Sequence, residues 1–467
     1  MKLLVKIPQG YEPERRYVLD VLLEEFLGLD FDVLPYDDRV VRIIGGDGKE
    51  CQIVDRLFSY AAVDWLTPRS LPAAPLQWWD SSALPFSPKL VNPMVPVIYG
   101  DDPKSPDFFK CSPTSLYLGI DVFGAAFFML SQYEEIVKPD RDGHDRFPGA
   151  ASLACQEGFL DRPIIDEYVE ILWECLRYLW PELRRRERSF RMVLSHDVDW
   201  PFEHAFMGAL RMVRRCAGDL VRRRDLTGPL RRLWGWSMVK LGNAAADPCN
   251  NFASLMDWDE HHGVRSAFYF IAAHTAGGEV DGLYQLGHPW IRSLMCEIHQ
   301  RGHEIGLHPS YNTYCDPVQT RREFEMLRHQ CEAEGIRQAV WGGRQHYLRW
   351  KVPITLQNWN DAGLTYDSSL TFADRAGFRC GVCREFPGFN VVTRHRLHVR
   401  ERPLVVMECS VSDREYMGLG FGVEAFEAMA KLKACCKMLA GDFTLLWHNS
   451  RLLLPEEIQL YKEVLAC

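Results

Sequence analysis

The sequence predicts an α/β protein in two parts, on the strength of two observations. From about residue 190 onward, short apolar runs that end in polar residues alternate with stretches of helical apolar spacing. Alternation of that length implies parallel strands wrapped by helices, closed as a barrel or left as an open sheet. The part before residue 185 alternates too, and the charged break "RRRERSF" (Arg184 to Phe190) separates the two. At 467 residues the chain is too long for one ordinary domain. The expected division is 1–185 and 186–467.

In the first part, "RYVLDVLLEEFLG" has helical spacing and a glycine stop. "FDVLPY", "RVVRIIGGDG" and "VPVIYGDD" read as strands, two of them running into turn residues. "VFGAAFFML" (Val122 to Leu130) is about half the roughly 20 residues a membrane span needs, so it reads as a buried helix. "RPIIDEYVEILWECLRYLW" is an amphipathic helix with Ile165, Val169, Leu172, Leu176 and Leu179 on one face. No catalytic constellation stands out here.

In the second part, "MVLSHDVDW", "VRSAFYFIAA", "HEIGLHPSY", "QAVWGGRQHYLRW", "LTYDSSL" and "DFTLLWHNS" read as strands or strand-and-loop segments. "HPWIRSLMCEIHQRG", "TRREFEMLRHQCEAEG", "PITLQNWNDAG" and "VEAFEAMAKLKACCKMLAG" read as the helices between them. A basic stretch follows the first strand. It holds eight arginines between Arg211 and Arg232, with Trp234 and Trp236 just beyond. A solvated helix face is the plainer explanation. A surface at 211–240 that meets phosphate or an anionic membrane is the other.

Composition narrows the function class. A net charge of −9 argues against a nucleic-acid binder. The 15 scattered cysteines and an N-terminus cut by glycine, proline and charges fit reduced thiols and a cytoplasmic location. "CGVC" (Cys380, Cys383) lacks the second pair that a zinc ribbon needs.

In parallel α/β folds, function gathers at the C-terminal ends of strands. Asp197 and Asp199 close one strand, His308 another and His448 a third. Arg344 and His346 follow "AVWGG", and Asp367 follows "LTY". Residues two apart on a strand face the same side, so Asp197 and Asp199 share a site while His196 faces away. Carboxylates that close repel unless a cation or a proton lies between them. A divalent cation on Asp199 and an imidazole would meet that need and acidify water. Asp197 is then the candidate base and His448 the candidate acid, a set of parts for hydrolysing an amide or ester. Read alone, "DVD" also fits a metal-dependent glycosyltransferase holding a sugar nucleotide. That reading leaves His308 and His448 unexplained.

These motifs carry a resemblance. Residues 190–460 resemble the polysaccharide deacetylases, carbohydrate esterases with a nodulation-type deacetylase domain. "SHDVD" resembles the first motif, "GHEIGLHPSYN" the second, "GGRQHYLRW" the third, "YDSS" the fourth and "LLWHN" the last. The resemblance implies an irregular (β/α) barrel behind an N-terminal α/β accessory domain. It implies Asp197 as base, Arg344 as its orienting partner and His448 as acid. Asp199 and His308 become ligands of a divalent metal, zinc foremost, and Asp367 and Tyr347 contacts to substrate. The second metal histidine of the family is replaced by Asn312. His346 is the candidate third ligand, because a catalytic site usually has three from the protein. A catalytically degenerate carbohydrate-binding protein is the alternative that this departure leaves open. The N-terminal "PERRYVLDVLLEEFLG" and "FFMLSQYEE" resemble a cytoplasmic branch linked with surface polysaccharide or O-antigen synthesis. The expected partner is an N-acetylated saccharide, free or linked to lipid or nucleotide, met in the cytoplasm or at the inner membrane face. His261, His262, His288, His303, His395 and His398 read as structural or solvated.

Overall fold

The computed structural model describes residues 1–101, 108–222, 227–277 and 279–467. Arg223 and Arg224 of the basic stretch lie outside the described residues, as does Asp102. The fold is mixed α/β, and the chain divides into two compact units. The first joins Met1–Arg191 to Trp350–Val405 and Lys431–Phe443. The second joins Met192–Arg349 to Val406–Ala430 and Thr444–Cys467.

The first unit is built on a sheet ordered Phe31–Tyr36, Leu3–Pro8, Val40–Ile44, Glu50–Val54, Ser115–Leu118 and Phe109–Cys111. Leu3–Pro8 pairs in parallel with Phe31–Tyr36 and antiparallel with Val40–Ile44, so the sheet is mixed. The amphipathic stretch forms the helix Ile164–Leu179. Val122–Leu130 is a helix with every residue buried, as its uniform apolarity predicts. Segment 350–405 belongs here through its antiparallel pair Phe386–Asn390 and His395–Glu401. Phe389 packs on Tyr17 and Phe127, and the Tyr17 hydroxyl donates to the Pro387 carbonyl at 2.8 Å. Around this seam buried carboxylates meet arginines: Glu14 with Arg394, Glu135 with Arg379 and Asp166 with Arg384. The charged look of "RHRLHVR" hid a strand, because its arginines leave the sheet to pair with Glu25 of the same unit.

The strands that fall wholly or mostly in the second unit run in the order Gly342–Gly343, Glu304–His308, Ala267–Ile271, Arg191–Val198, Asp442–Leu446 and Val406–Met407. Ala267–Ile271 pairs in parallel with both neighbours, which brings Asp197 level with Tyr269, and Ile271 level with His308. The helices Phe252–His261, Pro289–Gln300 and Pro317–Ala333 intervene along the chain. All five residues of Ala267–Ile271 are buried, as expected of a strand covered on both faces. "AVWGG" yields only the two-residue strand Gly342–Gly343. Glycine is required there by close approach: a Cβ at Gly343 would lie 1.8 Å from the Leu307 carbonyl oxygen. Among the described residues, no helix is long and apolar enough to cross a membrane, and no disulfide forms.

Candidate functional site

The "SHDVD" stretch splits its side chains as a strand end should. His196 turns into the core, its Nδ1 against the Trp447 carbonyl at 2.7 Å and its Nε2 against Asp259 at 3.0 Å. Asp197 and Asp199 face the other way and meet His308 from the strand Glu304–His308, two places along the sheet.

Asp197 is 3% exposed. Arg344 donates from one guanidinium nitrogen to Asp197 Oδ1 and from another to Ser195 Oγ, both at 2.8 Å. The guanidinium also lies 5.1 Å from the centre of the Tyr269 ring. Two hydrogen bonds and a ring hold this arginine in one place, so Asp197 is held with it.

Asp199, His308 and His346 bring one potential ligand atom each within 4.8 Å of one another. Nε2 of His308 lies 3.2 Å from Asp199 Oδ1, and Nε2 of His346 lies 3.6 Å from it. That Oδ1 is buried and accepts no hydrogen bond. Burial alone would raise the Asp199 pKa, but His346, His308 and His448 bring it well below the usual carboxylate range. Burial likewise opposes the charged form of His308, yet Asp197 and Asp199 outweigh it and raise its pKa.

Both histidines are oriented from behind. Nδ1 of His308 is 2.6 Å from the Arg344 carbonyl, which can only accept, so Nδ1 carries a proton and Nε2 points at Asp199. Nδ1 of His346 lies 3.1 Å from Asp281 Oδ1 with the same result. Backing of this kind fixes the tautomer of a metal-binding histidine. Asp281 is fixed in turn by the backbone N–H groups of Thr275, Ala276 and Tyr311. Burial would raise its pKa, but His346 and these N–H groups bring it to about 2. The following Gly282 is obligatory: its φ is +70°, and a Cβ there would lie 2.5 Å from the Asp199 carbonyl oxygen. A buried, unpartnered carboxylate oxygen beside two imidazole nitrogens of fixed tautomer fits a divalent ion of the zinc type.

His448 completes the group, its Nε2 3.6 Å from Asp199 Oδ2 and its Nδ1 2.5 Å from Glu408 Oε1. Burial opposes its charge, but Glu408 and then Cys409 raise its pKa well above the ordinary value.

The structure therefore gathers Asp197, Asp199, His308, Arg344, His346 and His448 within one unit. Asn312 has its side chain spent elsewhere: it donates to the Thr275 carbonyl and accepts from Arg349. Tyr347 stands beside His346 with its ring centre 4.8 Å away and is 39% exposed. Asp367 belongs to the first unit, fully buried, and accepts from the Trp350 indole at 3.0 Å and from Ser369. Sequence reasoning missed Asp281 and Glu408. Glu408 directly follows the strand Val406–Met407, so the strand-end rule applied to "LVVME" points to it. Asp281 sits in a loop, and only its "DG" turn pairing gave a signal.

Comparison with known proteins gives three results. Residues 3–181 match DUF7033, a family of unknown function. No curated protein matches the sequence. Among solved structures the chain is similar to a candidate polysaccharide deacetylase from Mycobacterium smegmatis, at 15% identity and a TM-score of 0.38. It is also similar to PuuE allantoinase, at 12% and 0.35, and to a probable polysaccharide deacetylase from Pseudomonas aeruginosa PAO1, at 13% and 0.36. Each match covers 60% of this chain and 84% of the other. With TM-scores below 0.5, the weight of any functional reading falls on the side chains.

Proposed function

We propose that this protein is a metal-dependent hydrolase that removes N-acetyl or related acyl groups from a sugar. The observation that carries the proposal is the pairing of two differently prepared carboxylates. Asp197 is held by a guanidinium, and Asp199 is turned to two imidazoles of fixed tautomer. In this reading Asp199, His308 and His346 hold a divalent ion, zinc foremost. When bound, that ion supplies Lewis acidity for the amide carbonyl and for water. Asp197 accepts the proton of the attacking water, and Arg344 keeps Asp197 aimed. His448 gives its Nε2 proton to the departing amine nitrogen, and Glu408, bonded at Nδ1, stabilises the charged imidazole until then. The half-exposed Tyr347 offers a ring face for a sugar; Asp367, fully buried and bonded within the first unit, is left without that role.

The same reading takes 186–467 as a deacetylase-type (β/α) barrel and 1–185 as an accessory domain. It places the activity in surface polysaccharide or O-antigen synthesis, in the cytoplasm or at the inner membrane face. The helix Gly228–Lys240 supports membrane proximity, because Leu230, Leu233 and Trp234 are exposed beside Arg231. The test is acetate release from an N-acetylated saccharide by metal-loaded protein. Release of a nucleoside diphosphate from a sugar nucleotide, without acetate, would overturn the proposal in favour of a glycosyltransferase.

A further inference from the structure

A second ligand cluster adjoins the first. Glu408, Cys409 and His448 bring a carboxylate oxygen, a thiol sulfur and an imidazole nitrogen within 4.8 Å of one another. Glu408 ends the strand Val406–Met407 and opens the helix Glu408–Ser412, so the backbone fixes its place and that of Cys409. The Cys409 sulfur lies 3.4 Å from Glu408 Oε1. An independent observation points to a ligand here. Glu408 is fully buried, Oε1 is taken by the backbone N–H and Nδ1 of His448, and Oε2 has no hydrogen-bond partner. A buried carboxylate oxygen left unsatisfied is costly. A cation held by Glu408 with the neighbouring sulfur and imidazole would neutralise this buried carboxylate. The donor set of one sulfur, one nitrogen and one oxygen suits zinc and excludes magnesium and calcium, which prefer oxygen alone.

We propose that Glu408, Cys409 and His448 form a second, inhibitory zinc site. Occupation is an exchange of protons for the ion. The Cys409 S–H bond breaks, a sulfur–zinc bond forms, and the proton leaves to water. His448 gives up its imidazolium proton to water as one ring nitrogen binds zinc. No electrons are transferred. Coordination through either nitrogen removes the charged imidazole, so the acid of the proposed reaction is lost while the Asp199–His308–His346 set stays intact. The inhibitory part of this inference rests on the function proposed above; the binding site itself does not.

The experiment uses metal-stripped full-length protein titrated with zinc or cobalt ions alone. The wild type should bind two ions per chain. Its cobalt form should show a sulfur-to-cobalt charge-transfer band in the near ultraviolet. Cys409→Ser should bind one ion and lack the band, its activity with one equivalent of zinc serving as its own baseline. Excess zinc should slow the wild type about 100-fold, the contribution of a general acid, and leave Cys409→Ser unaffected. His308→Ala should lose the other ion and keep the band. A single ion in the wild type, no thiolate band, or equal zinc inhibition of Cys409→Ser would overturn the inference. A thiolate band in a protein that releases no acyl group under any metal loading would uphold the site and sink the proposed reaction. Acyl release without a band would do the reverse.

Discussion

The two units bury carboxylates in different company. In the first, Glu14, Asp55, Glu135, Asp166 and Glu167 each meet an arginine. In the second, Asp199, Asp281 and Glu408 each meet a histidine. The difference is chemical. A guanidinium never releases its proton, so the first arrangement fixes charge and position for good. An imidazole can exchange its proton for a metal or pass it to a substrate, so the second arrangement is reactive. Asp197 is the instructive crossover: it sits among the histidine-paired groups but takes an arginine, which fixes its position as the proposed base requires.

The contrast can be broken most sharply at Asp197. Asp197→Asn should lower turnover by about 10³-fold with metal content unchanged, since it removes the base and no ligand. Single-turnover kinetics with metal analysis would check this, and surviving turnover would require another base. The counterpart in the first unit is Arg379→Met. It strands Glu135, whose pKa burial already raises against the pull of Arg379. The expected cost is about 3–5 kcal/mol of stability in denaturant unfolding, with metal content unaltered. Loss of metal there would erase the distinction drawn between the units. Smaller in effect, Asp281→Asn should weaken metal affinity by about 10–100-fold, because His346 loses the carboxylate behind it. Competition with a chelator would measure it. The mildest change is Glu408→Gln. Glu408 raises the His448 pKa, so removing its charge should move the alkaline limb of kcat/KM to lower pH. An alkaline limb that stays in place would assign the acid to another group.

The reactive half of this comparison was largely legible in the sequence. Strand ends report function because alternation fixes which side a residue faces, and "SHDVD", "HEIGLH" and "LLWH" each display that alternation. His346 was legible only as the nearest spare imidazole to Arg344. Its orientation depends on Asp281, a residue distant in sequence that no local pattern connects to it. The structural half was harder to read. The boundary expected at 185 follows a real charged break. Yet the hairpin Phe386–Asn390 and His395–Glu401 is grouped by contact with the N-terminal residues, tied through Tyr17, Glu14 and Glu25. Pairings between residues so far apart leave no periodic trace.

The claim that matters most is that His346, not Asn312, completes the metal site. Metal analysis of His346→Ala and Asn312→Ala, each made in the Cys409→Ser background so that only the Asp199 site can hold an ion, and dialysed side by side, tests it directly. The geometry predicts that His346→Ala loses its ion and Asn312→Ala keeps a full equivalent. Full metal in His346→Ala with loss in Asn312→Ala would contradict it.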